Sequence, residues 1–257
     1  MLNKITRFAE RRIEYFRSIL SLNYQINSGN SGALGFIDVG SVGGLPPPWR
    51  ENANFVKFLL NFEPNDKPTR SANIFTYNTA LWESDKTLPF YVYKGLNNTG
   101  SSLFKQNMDY VKKNFQSLRL RGPKELAETW FDRSSLVATA ELKCRALDGI
   151  LTEELKGIKF HFLKIDAQGA EFNILKGAQA FLSGSCIGLH LELFTLPLYH
   201  EIVLLDEVEK YLSVFGFELV KKFPPHGSFN SQHDCLFLKS GGDLERFSII
   251  RRVYGLL

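Results

Sequence analysis

Residues 36–44 read Phe36-Ile37-Asp38-Val39-Gly40-Ser41-Val42-Gly43-Gly44, a short apolar run carrying one acid and breaking at a glycine-rich turn. A run of this length, bounded by turn signals, reads as a strand buried on both faces. Working outward, Phe58-Leu59-Leu60-Asn61-Phe62-Glu63 is a second such run, and Asn73–Leu81 reads as a third. His161-Phe162-Leu163-Lys164-Ile165-Asp166 is a fourth, followed by a helix pattern through Leu175 to Leu182. Ile187–Leu193 is a fifth, followed by a helix over Leu204–Phe215, and Phe217–Lys221 and Cys235–Lys239 read as two final strands. Strands alternating with helices imply an α/β fold, a largely parallel sheet with helices on both faces.

The 257 residues suit one domain with insertions, and 44% apolar with 23% charged residues excludes a disordered or collagen-like chain. Residues 82–148 break the rhythm: a hairpin-like Leu88–Tyr93 is followed by Ser/Asn/Lys-rich sequence. This segment is expected to be an insertion above the sheet on the substrate side. Residues 2–20 place Ile5, Phe8, Ile13, Phe16, Ile19 and Leu20 on one stripe of an amphipathic helix rich in arginine. Such a helix suits packing on the domain or on a second copy in a homodimer, or peripheral contact with an anionic membrane surface.

The net charge of +4 resides at the two ends: residues 1–20 carry five basic and two acidic groups, and residues 239–257 carry four and two. The body, 21–238, is left at −1, which argues against nucleic acid as partner. Cys144, Cys186 and Cys235 are scattered, so neither a disulfide framework nor a zinc pattern is read, and a reducing, cytoplasmic location is expected. No stretch approaches the ~20 apolar residues of a membrane span, and charges interrupt the N-terminus too often for a signal peptide.

In open α/β sheets ligands bind at the carboxyl ends of strands, where strand order reverses. The turn after Val39 offers glycines for close backbone approach, and Glu63 follows Gly40 by 23 residues, near the spacing of an acid that binds ribose hydroxyls. A dinucleotide fold wants Gly-x-Gly-x-x-Gly, whereas the sequence offers Gly40-x-x-Gly43-Gly44 and then Pro46-Pro47-Pro48 where a helix should begin. A nucleotide-linked oxidoreductase is therefore disfavoured, and a catalytically inactive binding module is kept as the non-enzymatic alternative.

Asp38, Gly40 and Gly44, spaced Asp-x-Gly-x-x-x-Gly, resemble the first motif of class I S-adenosylmethionine-dependent methyltransferases. Phe62-Glu63-Pro64-Asn65, Asn78-Thr79-Ala80-Leu81 and Phe162-Leu163-Lys164-Ile165-Asp166-Ala167-Gln168-Gly169-Ala170-Glu171 narrow the resemblance to the FkbM family. Ile174–Ala178, Gly188-Leu189-His190-Leu191-Glu192, Pro197-Leu198-Tyr199 and Phe215-Gly216-Phe217 follow in the family's order, from about residue 34 to 239. Gly43–Trp49 and Gly100-Ser101-Ser102-Leu103 resemble a subgroup. The resemblance implies a Rossmann-like sheet with an antiparallel C-terminal strand, S-adenosylmethionine as cofactor, and O-methylation of a small molecule, glycan or glycan precursor. Asp38, Gly40, Ser41, Gly44 and Glu63 would hold the cofactor, with Asn78 and Ala80 on its adenine side; Ser102 would meet the substrate, and Tyr199 would either line the substrate pocket or simply pack. Ser41-Val42 stands where relatives often have Ala-Asn, and the proline triplet is expected to shorten or redirect the following helix.

Methyl transfer to an alcohol calls for a base and for positioning. Asp166, Glu171, His190 and Glu192 are the candidates, and alternation places His190 and Glu192 on one face. Each has a structural counter-reading: Asp166 as a helix cap, Glu171 as a partner of the helix dipole, His190 as a hydrogen-bonded core histidine. Glu192, an acid in an apolar strand, is costly to bury without a partner. His233-Asp234 offers a base from the final strand. Asp166, Glu171 and Glu192 have the oxygen chemistry for a divalent cation, but carboxylates are common at such strand ends and no metal is expected.

Overall fold

The structure is a computed structural model that describes residues 34–40, 44–95, 100–241 and 243–256. The expected helix over 2–20, together with Ser41 and Gly43, lies outside the described residues.

β1 (Leu34–Val39) is buried at every position, as its apolar run demands. The chain then passes through a 3-10 segment, Arg50–Phe55, into β2 (Val56–Phe62). Proline at 46–48 withholds three backbone N–H donors, and Trp49, fully buried, pins the segment to the sheet instead of a first α-helix. β3 (Thr69–Arg70) and β4 (Ile74–Tyr77) follow, then β5 (Ala80–Leu81). The single strand expected over 73–81 is therefore two: the chain bends at Asn78-Thr79, and β5 leaves the main sheet to pair with β7 of a second one.

Residues 82–148 contain β6 (Lys86–Tyr93), helices α1 (Met108–Leu118), α2 (Lys124–Glu128) and α3 (Trp130–Arg133), and most of the chain up to α4 (Leu147–Glu153), with β7 (Leu136–Arg145) between. Leu88–Tyr93 is not half of a local hairpin, because its antiparallel partner is the distant β7, with Lys86 opposite Cys144. β5, β7 and β6 form the small second sheet.

β8 (Phe162–Ile165) leads into α5 (Glu171–Lys176) and α6 (Gln179–Ser183), two short helices separated at Gly177-Ala178 where one was expected. A Cβ at Gly177 would stand 2.1 Å from the Trp82 carbonyl oxygen, so the close approach of that backbone fixes the break. β9 (Gly188–Phe194), α7 (Leu205–Ser213), β10 (Phe217–Lys222), β11 (Gln232–Lys239) and α8 (Leu244–Val253) complete the order.

Among the described residues eight strands form the main sheet, in the order β10-β11-β9-β8-β1-β2-β4-β3. β1, β2, β4, β8 and β9 run parallel, and β11 is antiparallel to both β9 and β10. One face carries Ile37, Leu60, Leu163 and Leu189 under α4–α7. The other carries Phe36, Leu59 and Phe162 under Trp49 and the C-terminal helix, through Ile250, Val253 and Tyr254. The basic C-terminal segment is thus a core element rather than an appendage. A third cluster joins the insertion (Val111, Leu118, Trp130) to the end of β9 and its loop (Phe194, Leu198, Tyr199), holding the insertion over the sheet's carboxyl edge.

Candidate active site

β1 is flanked by β2 and β8, which puts the switch of strand order at its carboxyl end. Gly40 closes that end: its N–H donates to the Phe62 carbonyl oxygen at 3.0 Å, while the Asp166 N–H reaches the Val39 oxygen at 3.1 Å. Gly40 sits at φ +75°, and an added Cβ would lie 2.0 Å from the Asp166 carbonyl oxygen, so no side chain fits. Gly44 also takes a positive φ, 93°. Glu63 follows β2 beside this turn, and its Oε1 accepts from the Asn65 N–H and side-chain amide at 3.0 and 2.9 Å. Asn78 is exposed past the end of β4, whereas Ala80 belongs to the second sheet, opposite Cys144.

Behind the turn lies a buried ion pair. Lys164 Nζ is 3.3 Å from Asp38 Oδ1 and 3.8 Å from Asp166 Oδ2, bridging adjacent strands in register. Burial alone would push the lysine's pKa down, but the two carboxylates outweigh it and the ammonium is raised. Asp38, 1% exposed, holds its carboxylate in this pair at the end of β1.

The turn after β8 aims the next group. Glu171 Oε1 accepts from the N–H of Ala167 (2.8 Å) and Gly169 (3.3 Å), and burial pushes its pKa up to about 8. Its carboxyl closes the turn. Gln168 takes φ 51°, a costly conformation for a side chain with a Cβ, and its amide bridges two acids. Nε2 donates to Asp166 Oδ1 at 3.2 Å and Glu192 Oε2 at 2.9 Å.

β9 and β11 supply the rest. Glu192 Oε2 also accepts from Gln232 Nε2 at 2.7 Å, and burial together with the charges of Asp166, Glu171 and Asp234 raises the Glu192 pKa well above the carboxylate range. His190 has both ring nitrogens engaged, Nδ1 with Tyr254 Oη at 2.8 Å and Nε2 with Asp234 Oδ1 at 3.1 Å. Because the Tyr254 hydroxyl accepts from Trp49 Nε1 at 3.1 Å, its proton serves Nδ1, and the Nε2–H of His190 donates to Asp234.

His226, on the loop before β11, has Nε2 3.4 Å from Asp234 Oδ2 and 3.8 Å from Glu192 Oε1. Its pKa is raised by Asp234, against the effect of burial. Burial pulls Asp234 upward, but the His190 bond and the nearby His226 imidazole outweigh that and hold it well below the usual range. His233 turns to the other face and bonds the Phe223 carbonyl oxygen at 2.8 Å, so the pair His233-Asp234 is divided by strand alternation.

A cavity of about 240 Å³ opens beside Glu192, Gln168 and Gln232 and is walled by Trp130, Arg133 and Tyr199. Tyr199 is buried and donates to the Gly100 carbonyl oxygen at 2.8 Å. Ser102 does not line the cavity: its hydroxyl donates to the Gln168 carbonyl oxygen (2.7 Å) and accepts from the Phe104 N–H (3.0 Å), tying the insertion to the β8 turn. Trp49 and Trp82 pack in the two faces of the sheet. Among the described residues no group of three or more His, Cys, Asp or Glu could hold a metal ion, and no helix is long and apolar enough to cross a membrane.

Sequence reasoning missed Lys164, Gln168, His226 and Gln232. Alternation on β11 could have placed Gln232 and Asp234 on the face of His190 and Glu192; nothing local marks Gln168 or His226.

A family model described as the methyltransferase FkbM domain matches residues 38–219, from the first buried acid to β10. The chain belongs to the FkbM family of methyltransferases. Membership of this methyltransferase family supports S-adenosylmethionine as the cofactor. Among solved structures the chain is similar to methyltransferase FkbM from Methylobacillus flagellatus KT, at 14% identity and TM-score 0.41, over 80% of this chain and 44% of that one. It thus spans less than half the length of that relative. It is also similar to magnesium protoporphyrin IX methyltransferase from Synechocystis PCC 6803 with bound S-adenosylmethionine, at 11% identity and TM-score 0.35, over 89% and 81% of the two chains. A putative tRNA (m1A22) methyltransferase from Streptococcus pneumoniae in complex with S-adenosylmethionine matches at 12% identity and TM-score 0.33, over 89% and 76%. No curated protein sequence matches the chain.

Proposed function

We propose that this protein methylates a hydroxyl oxygen of a small molecule, glycan or glycan precursor, taking the methyl group from S-adenosylmethionine. The observation that carries the reading is the cavity under the insertion, lined by Glu192 of β9, Gln168 of the turn after β8 and Gln232 of β11.

The donor set fits the cofactor's chemistry. Carboxylates at the ends of β2 and β8, Glu63 and Asp166, suit a cation and a ribose diol and would repel a pyrophosphate. Glu63 would accept from the ribose hydroxyls, Gly40 and Gly44 would let the backbone approach closely, and Asn78 and Ala80 would flank the adenine. Ser41 keeps its assignment from the motif alone. When bound, S-adenosylmethionine supplies an electrophilic methyl group on a sulfonium.

The chain's own residues would do the rest. Glu192, holding its proton because it is buried among acids, would position the acceptor hydroxyl by hydrogen bonding. His226, beside Glu192 and with its pKa raised by Asp234, would accept the hydroxyl proton, and Asp234 would stabilise the resulting imidazolium. Asp166 and Gln168 would fix Glu192, His190 would orient Asp234, and Glu171 would hold the β8 turn.

Calorimetric titration tests the reading: S-adenosylmethionine should bind and NAD should not. Glu63→Ala should weaken S-adenosylmethionine by ~10-fold or more, the worth of charge-assisted bonds to ribose. Tight NAD binding with no response to S-adenosylmethionine would refute the proposal.

A further inference from the structure

Arg133 is the last residue of α3 and lines the same cavity. Its Nε donates to Thr129 Oγ1 at 3.0 Å, and its Nη2 donates to the Leu126 carbonyl oxygen at 2.6 Å and to Ser228 Oγ at 2.9 Å. These three acceptors are neutral, and Nη1 has no partner among the described residues. The adjacent carboxylate, Asp132, is committed to Lys94 at 2.6 Å. No carboxylate comes within ion-pair distance of Arg133 among the described residues, although burial already works against its charge. A half-buried guanidinium does not lose its proton, so its charge stands without a counter-ion in a cavity wall.

Two further facts point the same way. Glu192 faces the same cavity and does not pair with Arg133, so a cation and a carboxyl group address one space without neutralising each other. Residues 100–133, which supply that wall, hold seven basic and four acidic side chains, while the remainder of 21–238 sums to −4. The insertion is therefore the basic part of an otherwise acidic body, a distribution that draws anions toward it.

We propose that the acceptor carries an anionic group, a carboxylate or a phosphate, which docks on Arg133 while its hydroxyl lies near Glu192. The proposal rests on the cavity being the acceptor site. Arg133 suits such a group because the guanidinium offers forked donors matched to carboxylate and phosphate oxygens. The cavity's 240 Å³ is below the ~300–1,000 Å³ that encloses drug-sized ligands, so a single sugar ring or a unit of that size is the expected occupant.

The test uses matched probes: glucuronate and glucose 6-phosphate against glucose, titrated into the whole protein with S-adenosylhomocysteine present and followed by ligand-observed NMR. At least one acid should bind ~10-fold or more tightly than glucose, and whichever does distinguishes carboxylate from phosphate. Arg133→Met should abolish the preference. Ser228→Ala, which removes a structural partner and keeps the guanidinium, should retain it, and thermal unfolding of both variants reports any loss of fold. Equal binding of acid and neutral sugars, no binding of either acid, or a preference that survives Arg133→Met in a folded protein overturns the proposal. S-adenosylmethionine titration of the same samples reports separately on the methyl-transfer reading, since cofactor binding does not require Arg133.

Discussion

Replacing Lys164 with methionine removes the cation from beneath the crevice while keeping most of the side-chain volume. The lysine side chain is 15% exposed and that of Asp38 is 2% exposed, so the 3.3 Å pair is poorly screened. With an effective dielectric of 20 the attraction across that distance is about 5 kcal/mol. The 3.8 Å contact with Asp166 adds less, because the aspartate side chain is 39% exposed. Part of the attraction repays the cost of burying the ions, and removal of one partner of a buried pair costs about 3–5 kcal/mol. For a chain of this length that corresponds to a fall in Tm of roughly 10 °C. The folded-state pKa of Lys164 is raised, so its contribution is fully present below the unfolded lysine pKa and is lost only as pH rises through the higher folded value. The deficit should therefore be complete at neutral pH. Unfolding can be followed by the fluorescence of Trp49, Trp82 and Trp130, all buried. The double variant Lys164→Met/Asp38→Asn should recover part of the loss, with a coupling of about 1–3 kcal/mol. A Lys164→Met variant within about 1 kcal/mol of wild type, or strictly additive single effects, would refute the ion-pair argument.

Glu171 carries a raised pKa, so the folded state holds a proton that the unfolded state releases, and stability falls as pH rises from about 4.5 to about 8. Glu171→Gln keeps an oxygen for the Ala167 and Gly169 N–H groups and should flatten that decline, measured by urea unfolding across the window; an unchanged slope would count against the assignment. His226 should titrate above the ordinary histidine value in an NMR titration, and Asp234→Asn should lower it, because the first cause of the rise is Asp234. If the His226 titration were indifferent to that substitution, the 3.4 Å contact between His226 and Asp234 would not exist in solution.

The main sheet was legible because β1, β8 and β9 are apolar runs buried on both faces, for which length and punctuation suffice as signals. The insertion was not. β7 is exposed along most of its length and gives no apolar run, while α2 and α3 have only five and four residues, too few for a helical period to show. The strand expected over 73–81 failed for a different reason: composition stays strand-like through a bend that only tertiary pairing imposes. Within the site, acids at strand ends announced themselves, because an ionisable group in an apolar run is conspicuous. Gln168 and Gln232 did not, since an amide is unremarkable until it is found bridging two carboxylates or reaching a third residue across strands. Lys164 was visible within the strand, yet its role depends on β1 and β8 being in register, which places it opposite Asp38.

The distribution of charge joins the two halves of the functional argument. The carboxyl side of the sheet gathers Asp38, Glu63, Asp166, Glu192 and Asp234, with the Lys164 ammonium and the His226 imidazole beside them among the described residues. Gathering that many acids is tolerable because Lys164 neutralises one pair, Glu192 holds its proton, and Asp234 is bonded by His190 with His226 at ion-pair distance. The residual negative potential favours a cationic ligand at the crevice. Across the cavity the sign reverses, since Arg133 belongs to a segment, residues 100–133, with seven basic and four acidic side chains. A sulfonium donor and an anionic acceptor would each be drawn to its own side and kept from the other's, which orients the transfer before any contact with the reacting hydroxyl is made.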